Sequence, residues 1–144
     1  MRKTLFLLVI LFLASCEQKL LERVTETYPD GKPSRVQYYT PGAENSYMAR
    51  EVFYYQNGQK KMDGYYNQDN KKHGKWIYWR EDGKKWSEGY FFEGKDDGFR
   101  KTWHENGARH YEGKYKKGTR VGTWKFWDES GKLVKEIDYD KEKQ

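Results

Sequence analysis

Four glycines set the frame for this chain. Gly58, Gly83, Gly107 and Gly131 lie 25, 24 and 24 residues apart. Each follows a turn-forming pair: Gln56-Asn57, Glu81-Asp82, Glu105-Asn106 and Glu129-Ser130. Other columns keep the same register. A further glycine comes six residues later at Gly64, Gly89 and Gly113, and another set closes the unit at Gly74, Gly98 and Gly122. Four residues before each turn glycine is an aromatic (Tyr54, Trp79, Trp103, Trp127), and eight after is another (Tyr66, Phe91, Tyr115, Tyr139). Five after is an acid: Asp63, Glu88, Glu112, Glu136. Pro29-Asp30-Gly31, followed by Tyr39, is a fainter forerunner. A fixed period of this size is the mark of a repeat architecture, in which each unit packs only on its neighbours.

The period resolves into hairpins. Asn-Gly and Asp-Gly between β-prone runs predict two-residue type I′ turns, with positive φ at both central residues. Lys75-Trp76-Ile77-Tyr78-Trp79 and Thr123-Trp124-Lys125-Phe126-Trp127 are strand-like in propensity. Each unit of about 24 residues reads as two strands and two turns, and no segment after residue 16 keeps a helical period. The expected fold is all-β: an elongated, single-layer, twisted antiparallel sheet of consecutive hairpins over residues 28–140. Residues 141–144 form a charged tail. Thr40 to Ala49, with Pro41-Gly42, interrupts the spacing and reads as a longer loop.

Composition says what can be buried in such a sheet. Between Phe53 and Arg120 the sole Ile, Leu or Val is Ile77, whereas aromatic residues recur throughout. Any core there is aromatic. Tyr and Trp bury a ring while keeping a polar tip hydrogen-bonded, which suits a thin, half-wetted structure.

The first residues belong to another kind of segment. Arg2 and Lys3 precede an unbroken apolar run from Leu5 to Ala14, about half the roughly 20 residues of a spanning helix. A positive start, a short apolar stretch and small residues at its end mark a secretory signal peptide. Leu13-Ala14-Ser15-Cys16 resembles the bacterial lipobox. The resemblance implies a signal peptide over residues 1–15, lipidation of Cys16, and a tether over residues 16–27. Cys16 is the single cysteine, so no disulfide forms within the chain. The formal charge is +6, and loss of Arg2 and Lys3 brings it to about +4. A basic residue near an anionic surface contributes about 1 kcal/mol, whereas an acyl chain contributes about 0.8 kcal/mol per buried methylene. Lipid, not charge, is the expected membrane attachment. Glu17 after the lipidated cysteine favours outer-membrane sorting or the cell surface.

Little in the chain points to chemistry. His73, His104 and His110 are not spaced for a metal site, although His104 and His110 flank one turn and can approach each other. The acidic column reads in two ways: as carboxylates available for a cation or for glycan hydrolysis, or as partners for neighbouring lysines and arginines. A catalytic pair needs two carboxylates in different environments, and repetition makes environments alike. No catalytic residue, metal ligand or cofactor is assigned, and the expectation is a protein that is not an enzyme. A single-layer sheet cannot hide both faces, so rings remain exposed, and contiguous exposed apolar area marks interaction sites. The tryptophans Trp76, Trp79, Trp86, Trp103, Trp124 and Trp127 form the candidate binding surface. Lysine-aromatic runs such as Lys84-Lys85-Trp86 resemble single-stranded nucleic-acid binders, but export argues against that ligand.

Asn106-Gly107, Glu112-Gly113-Lys114-Tyr115, Gly118, Gly122 and Trp124 to Trp127 together resemble the MORN-repeat variant family, which includes bacterial proteins labelled YwqK-type antitoxins. The resemblance spans roughly Tyr54 to Tyr139. Asp69-Asn70 stands where other units have Gly94 and Gly118, and Arg100 replaces the tryptophan of Trp76 and Trp124. The family implies an interaction or scaffolding role. The expected function is a lipid-anchored envelope module that meets a protein or an envelope polymer. Toxin neutralisation and a surface hydrolase using the acidic column are the alternatives.

Overall fold

The computed structural model describes residues 19–141. The signal peptide and Cys16 lie outside the described residues. Ten strands follow one another: β1 (Leu21–Thr27), β2 (Pro33–Tyr39), β3 (Met48–Tyr54), β4 (Lys60–Tyr66), β5 (Lys72–Trp79), β6 (Lys85–Phe92), β7 (Lys95–Trp103), β8 (Arg109–Lys116), β9 (Thr119–Trp127) and β10 (Leu133–Asp138). Each pairs with the next, giving one sheet in the order β1 to β10 with β1 and β10 as free edges. All pairings are antiparallel. At about 4.8 Å per strand the sheet is roughly 43 Å across. Among the described residues there is no helix and no second layer. The all-β expectation of consecutive hairpins holds.

Three expectations are corrected. Leu21–Thr27 is not tether but an edge strand, paired from Leu21↔Tyr39 to Thr27↔Pro33. Its residues are exposed throughout, so no buried face stamps an alternating pattern on the sequence. The forerunner turn at Gly31 belongs to this hairpin and has the same left-handed glycine, φ 82°. The irregular loop is shorter than expected, because strand β3 already begins at Met48. It is closed by Thr40 N donating to Tyr47 O at 3.0 Å and Ser46 Oγ to Thr40 O at 2.8 Å.

The Asn-Gly turns are the third correction. Only their glycines have positive φ (Gly58 83°, Gly83 82°, Gly107 88°), whereas Asn57, Asp82 and Asn106 do not. Gly58 N donates to Tyr55 O at 2.9 Å and Tyr55 N to Gln59 O at 2.8 Å. This is a type I turn followed by a glycine bulge, and the strand register shifts at each such end. The turn side chain holds it: Asn57 Oδ1 accepts from Gln59 N at 3.0 Å, and Asn106 Oδ1 from Ala108 N at 2.9 Å. Type I′ turns occur instead at the opposite ends, at Glu93-Gly94 (φ 49° and 84°) and Lys117-Gly118 (φ 51° and 84°). The corresponding turn after β4 is again the bulged form, with Asn70 taking the left-handed conformation at φ 56°. Asn adopts it readily because its short polar side chain bonds locally.

Stacked turns tie units together. Asn57 Nδ2 donates to Glu81 O at 2.8 Å, and Asn106 Nδ2 donates to Glu129 O. Just inside them, Tyr28, Tyr55, Arg80 and His104 each bond the backbone oxygen of the next unit's column residue, at Tyr54, Trp79, Trp103 and Trp127.

Candidate functional site

Alternation places two different surfaces back to back. On the first face one row crosses the sheet through Gln37, Glu51, Gly64, Trp76, Gly89, Arg100 and Gly113. It continues with Trp124, whose ring covers Gly113, and Ile137. Small and large residues alternate along it. The ring of Trp76 lies flat over Gly64 and that of Trp124 over Gly113, so that a Cβ on either glycine would overlap the indole. Arg100 covers Gly89 in the same way. Each indole is then fenced by edge-on rings: Trp76 by Tyr66 at 5.1 Å and Phe91 at 5.8 Å, Trp124 by Tyr115 at 4.9 Å and Tyr139 at 6.1 Å. A cation caps each, Lys72 at 4.2 Å and Arg120 at 4.6 Å. Trp76 Nε1 donates to Tyr65 O at 3.0 Å and Trp124 Nε1 to Lys114 O at 3.2 Å.

This packing corrects the candidate binding surface. Trp76 and Trp124 are 2% and 0% exposed. They are the core of the sheet and cannot meet a partner. The row ends in residues that fill their own space. At β10 Ile137 stands where the other units have glycine, and near the N-terminal end the buried Glu51 accepts from Arg35, Gln37 and Tyr66. Burial, then the adjacent Glu51 carboxylate, push the Tyr66 hydroxyl above its ordinary range.

The second face carries a row of different character: Val24, Val36, Val52, Asp63, Ile77, Glu88, Lys101, Glu112, Lys125, Glu136. Aliphatic at its start, it becomes a ladder of alternating charge. The acidic column lies here, and each member has a cation. Asp63 meets Arg50 at 2.5 Å and Lys60 at 2.9 Å, and Glu88 meets Lys85 at 2.9 Å and Lys75 at 3.3 Å. Glu112 pairs with Arg109, and Glu136 lies 3.7 Å from Lys125. Burial acts to raise the Asp63 and Glu88 carboxyls, but their cations outweigh it and hold both below the usual range. The column therefore binds the sheet's own lysines and arginines.

The same cations serve the half-buried tryptophans of this face. Lys60 lies 5.8 Å from the Trp79 ring, Lys85 5.3 Å from Trp103 and Arg109 5.7 Å from Trp127. Trp86 is 42% exposed but sits on the first face, 5.5 Å from Tyr78. The six tryptophans thus divide into two core residues, three cation-covered supports and one solvent-facing ring, and do not form one surface. His104 and His110 do meet, with ring centres 4.3 Å apart. Partial burial and then the neighbouring His104 lower the His110 pKa.

Sequence columns did not single out the rings that are most open. On the second face Tyr65, Tyr90, Phe92 and Phe99 are all exposed, Phe99 to 61%. Tyr90 and Phe99 line an open groove of about 860 Å³ together with Glu88, Glu112 and Asp140 and the lysines Lys101, Lys114, Lys116 and Lys125. The available signal was variation inside the chain's own repeats. The residue after each closing glycine is Lys75, Phe99 or Thr123, and whereas Lys75 pairs with Glu88, Phe99 is left exposed.

Ten hairpin-linked strands with one internal period define an open-sheet β-hairpin repeat protein. Residues 72–93 and 120–141 match the MORN repeat variant family. These matched segments carry Trp76 with Phe91 and Trp124 with Tyr139. Repeats of this family generally serve in protein or membrane binding. No curated protein matches the chain.

Proposed function

We propose that this chain is a lipid-anchored interaction module of the bacterial envelope, held at the membrane through Cys16. It binds a protein or an envelope polymer with the second face of its sheet. The observation that carries the reading is the exposure of Tyr65, Tyr90, Phe92 and Phe99 on a face whose acidic column is already paired. Exposed apolar area of this kind marks interaction sites. The anchor follows from Leu13-Ala14-Ser15-Cys16 behind an apolar leader. Two or more acyl chains suffice for stable attachment, and the charge of the mature chain biases its orientation.

Metabolic labelling with radioactive palmitate, followed by pull-down from solubilised envelopes, tests both halves. The wild-type chain takes up label and brings down a specific partner, and Cys16→Ser takes up none. Label-free wild-type protein, or a pull-down identical to that of Phe99→Ala, would remove the support for this reading.

A further inference from the structure

We propose that the groove spanning β6 to β9 is a site for an acidic glycan, a polysaccharide with one carboxylate per disaccharide. The inference rests on the binding role assigned to the second face and names the occupant of its deepest part.

The groove's charges are unevenly satisfied. Glu88 is held by Lys75 and Lys85, and Glu112 by Arg109. Among the described residues, Lys101, Lys114 and Lys116 form no ion pair, although all three line the groove. Lys125 is engaged only at 3.7 Å, with Glu136. Asp140 also lines the groove and forms no ion pair among the described residues, so four lysines face three carboxylates, two of which are already held, and the surplus is positive. A ligand that complements it brings negative charge. Lys101 stands on β7 and Lys125 on β9, two strands apart, so the cations repeat at about 9.6 Å. A same-sign polymer with a charge on every unit would set every second charge over Glu88 or Glu112. A glycan with a carboxylate on alternate sugars matches the alternate lysines.

The apolar side has the shape for sugars. Phe99 and Tyr90 are exposed rings beside the lysines, with Lys114 Nζ 5.9 Å over the Phe99 ring. Aromatic faces carry partial negative charge and attract the polarised C–H faces of pyranose rings. The volume of about 860 Å³ is at the upper end for ligand sites, which run to roughly 1,000 Å³.

Two other occupants fit less well. An extended peptide gains affinity by pairing its backbone with a free sheet edge, but β6 to β9 are interior strands with neighbours on both sides. A bilayer presents headgroup charges with no fixed linear repeat, so nothing in it matches the spacing of about 9.6 Å between Lys101 and Lys125.

Titration calorimetry on the mature lipidated protein in detergent tests the assignment, with a hyaluronan octasaccharide as probe. Chitohexaose, a glutamate decamer and phosphatidylglycerol vesicles serve as comparators. The octasaccharide is expected to bind, and Phe99→Ala and Lys101→Gln each to weaken it by about tenfold or more. Trp86→Ala, on the opposite face, leaves binding unchanged. Equal thermal midpoints and far-UV spectra establish that the variants fold. No octasaccharide binding, equal binding of neutral chitohexaose, tighter binding of the peptide or the vesicles, or indifference to both groove variants would overturn the proposal. A cross-link from Phe99 to an envelope protein in cells, with no glycan bound in vitro, would sink the glycan while leaving the binding role standing.

Discussion

Replacing Gly113 by alanine adds one methyl group, and the fold predicts a loss of stability far beyond its size. The new Cβ would overlap Cδ2 and Cε2 of Trp124. That indole cannot move aside. It is fully buried, fenced by Tyr115 and Tyr139, and bonded through Nε1 to Lys114 O at 3.2 Å. Overpacking costs about 1–3 kcal/mol, and losing the indole hydrogen bond adds about 1 kcal/mol. Against this, Gly→Ala stabilises by about 0.4–1 kcal/mol through the unfolded chain. The net expectation is a loss of about 2–3 kcal/mol, or roughly 10 °C in Tm for a domain of this size. Trp124→Ala alone costs about 3–5 kcal/mol. The two changes should not add, since the methyl group has room once the ring is gone. Urea denaturation of the four proteins of this cycle measures the coupling. A Gly113→Ala protein within 0.5 kcal/mol of wild type, or a double variant equal to the sum of the singles, would refute the packing argument.

Two further predictions concern the repeat row and its charges. Arg100 covers Gly89 as the tryptophans cover theirs, and its guanidinium lies 5.2 Å from the Phe91 ring. Arg100→Trp should therefore fold with stability within about 1.5 kcal/mol of wild type, and Arg100→Ala should be the less stable of the two by thermal melting. Stability should also fall in two stages as pH drops. His110 has a folded pKa below its ordinary 6.5, so its contribution is present above that value and is lost as pH falls through the lowered one. Glu88 and Asp63 act in the same sense further down, below their ordinary 4.5 and 3.8. Urea midpoints from pH 7.5 to 3 should show both stages in wild type and only the lower one in His110→Gln. A wild-type midpoint flat down to pH 5 would count against the histidine contribution.

The columns made the hairpins legible because each marks a local need: glycine at a left-handed turn, an acid beside cations, aromatic rings at one offset. The purpose of Gly64, Gly89 and Gly113 was not legible, because the side chain that needs each glycine stands on the following strand and only the register brings them together. That same register moved Trp76 and Trp124 from candidate surface to core. The turn type was misread at Asn57 and Asn106 because Asn-Gly suits both the type I′ turn and the glycine bulge. The closing hydrogen bond from Tyr55 N to Gln59 O makes the choice. Strand β1 left no trace because an exposed edge strand needs no apolar alternation. Phe99 and Lys101 were missed for the opposite reason to the glycines. They serve no repeated structural need, so no column announced them.

Photo-cross-linking in intact cells tests the account at its centre, with p-benzoyl-phenylalanine placed either at Phe99 or at Trp86. The two positions report on opposite faces of one sheet and are both exposed. A discrete membrane-fraction product is predicted from position 99 alone, and it should disappear when Cys16 is changed to serine. The same products from both positions, or an undiminished product in the soluble fraction of Cys16→Ser cells, would contradict a membrane-anchored module that binds through its charged and aromatic face.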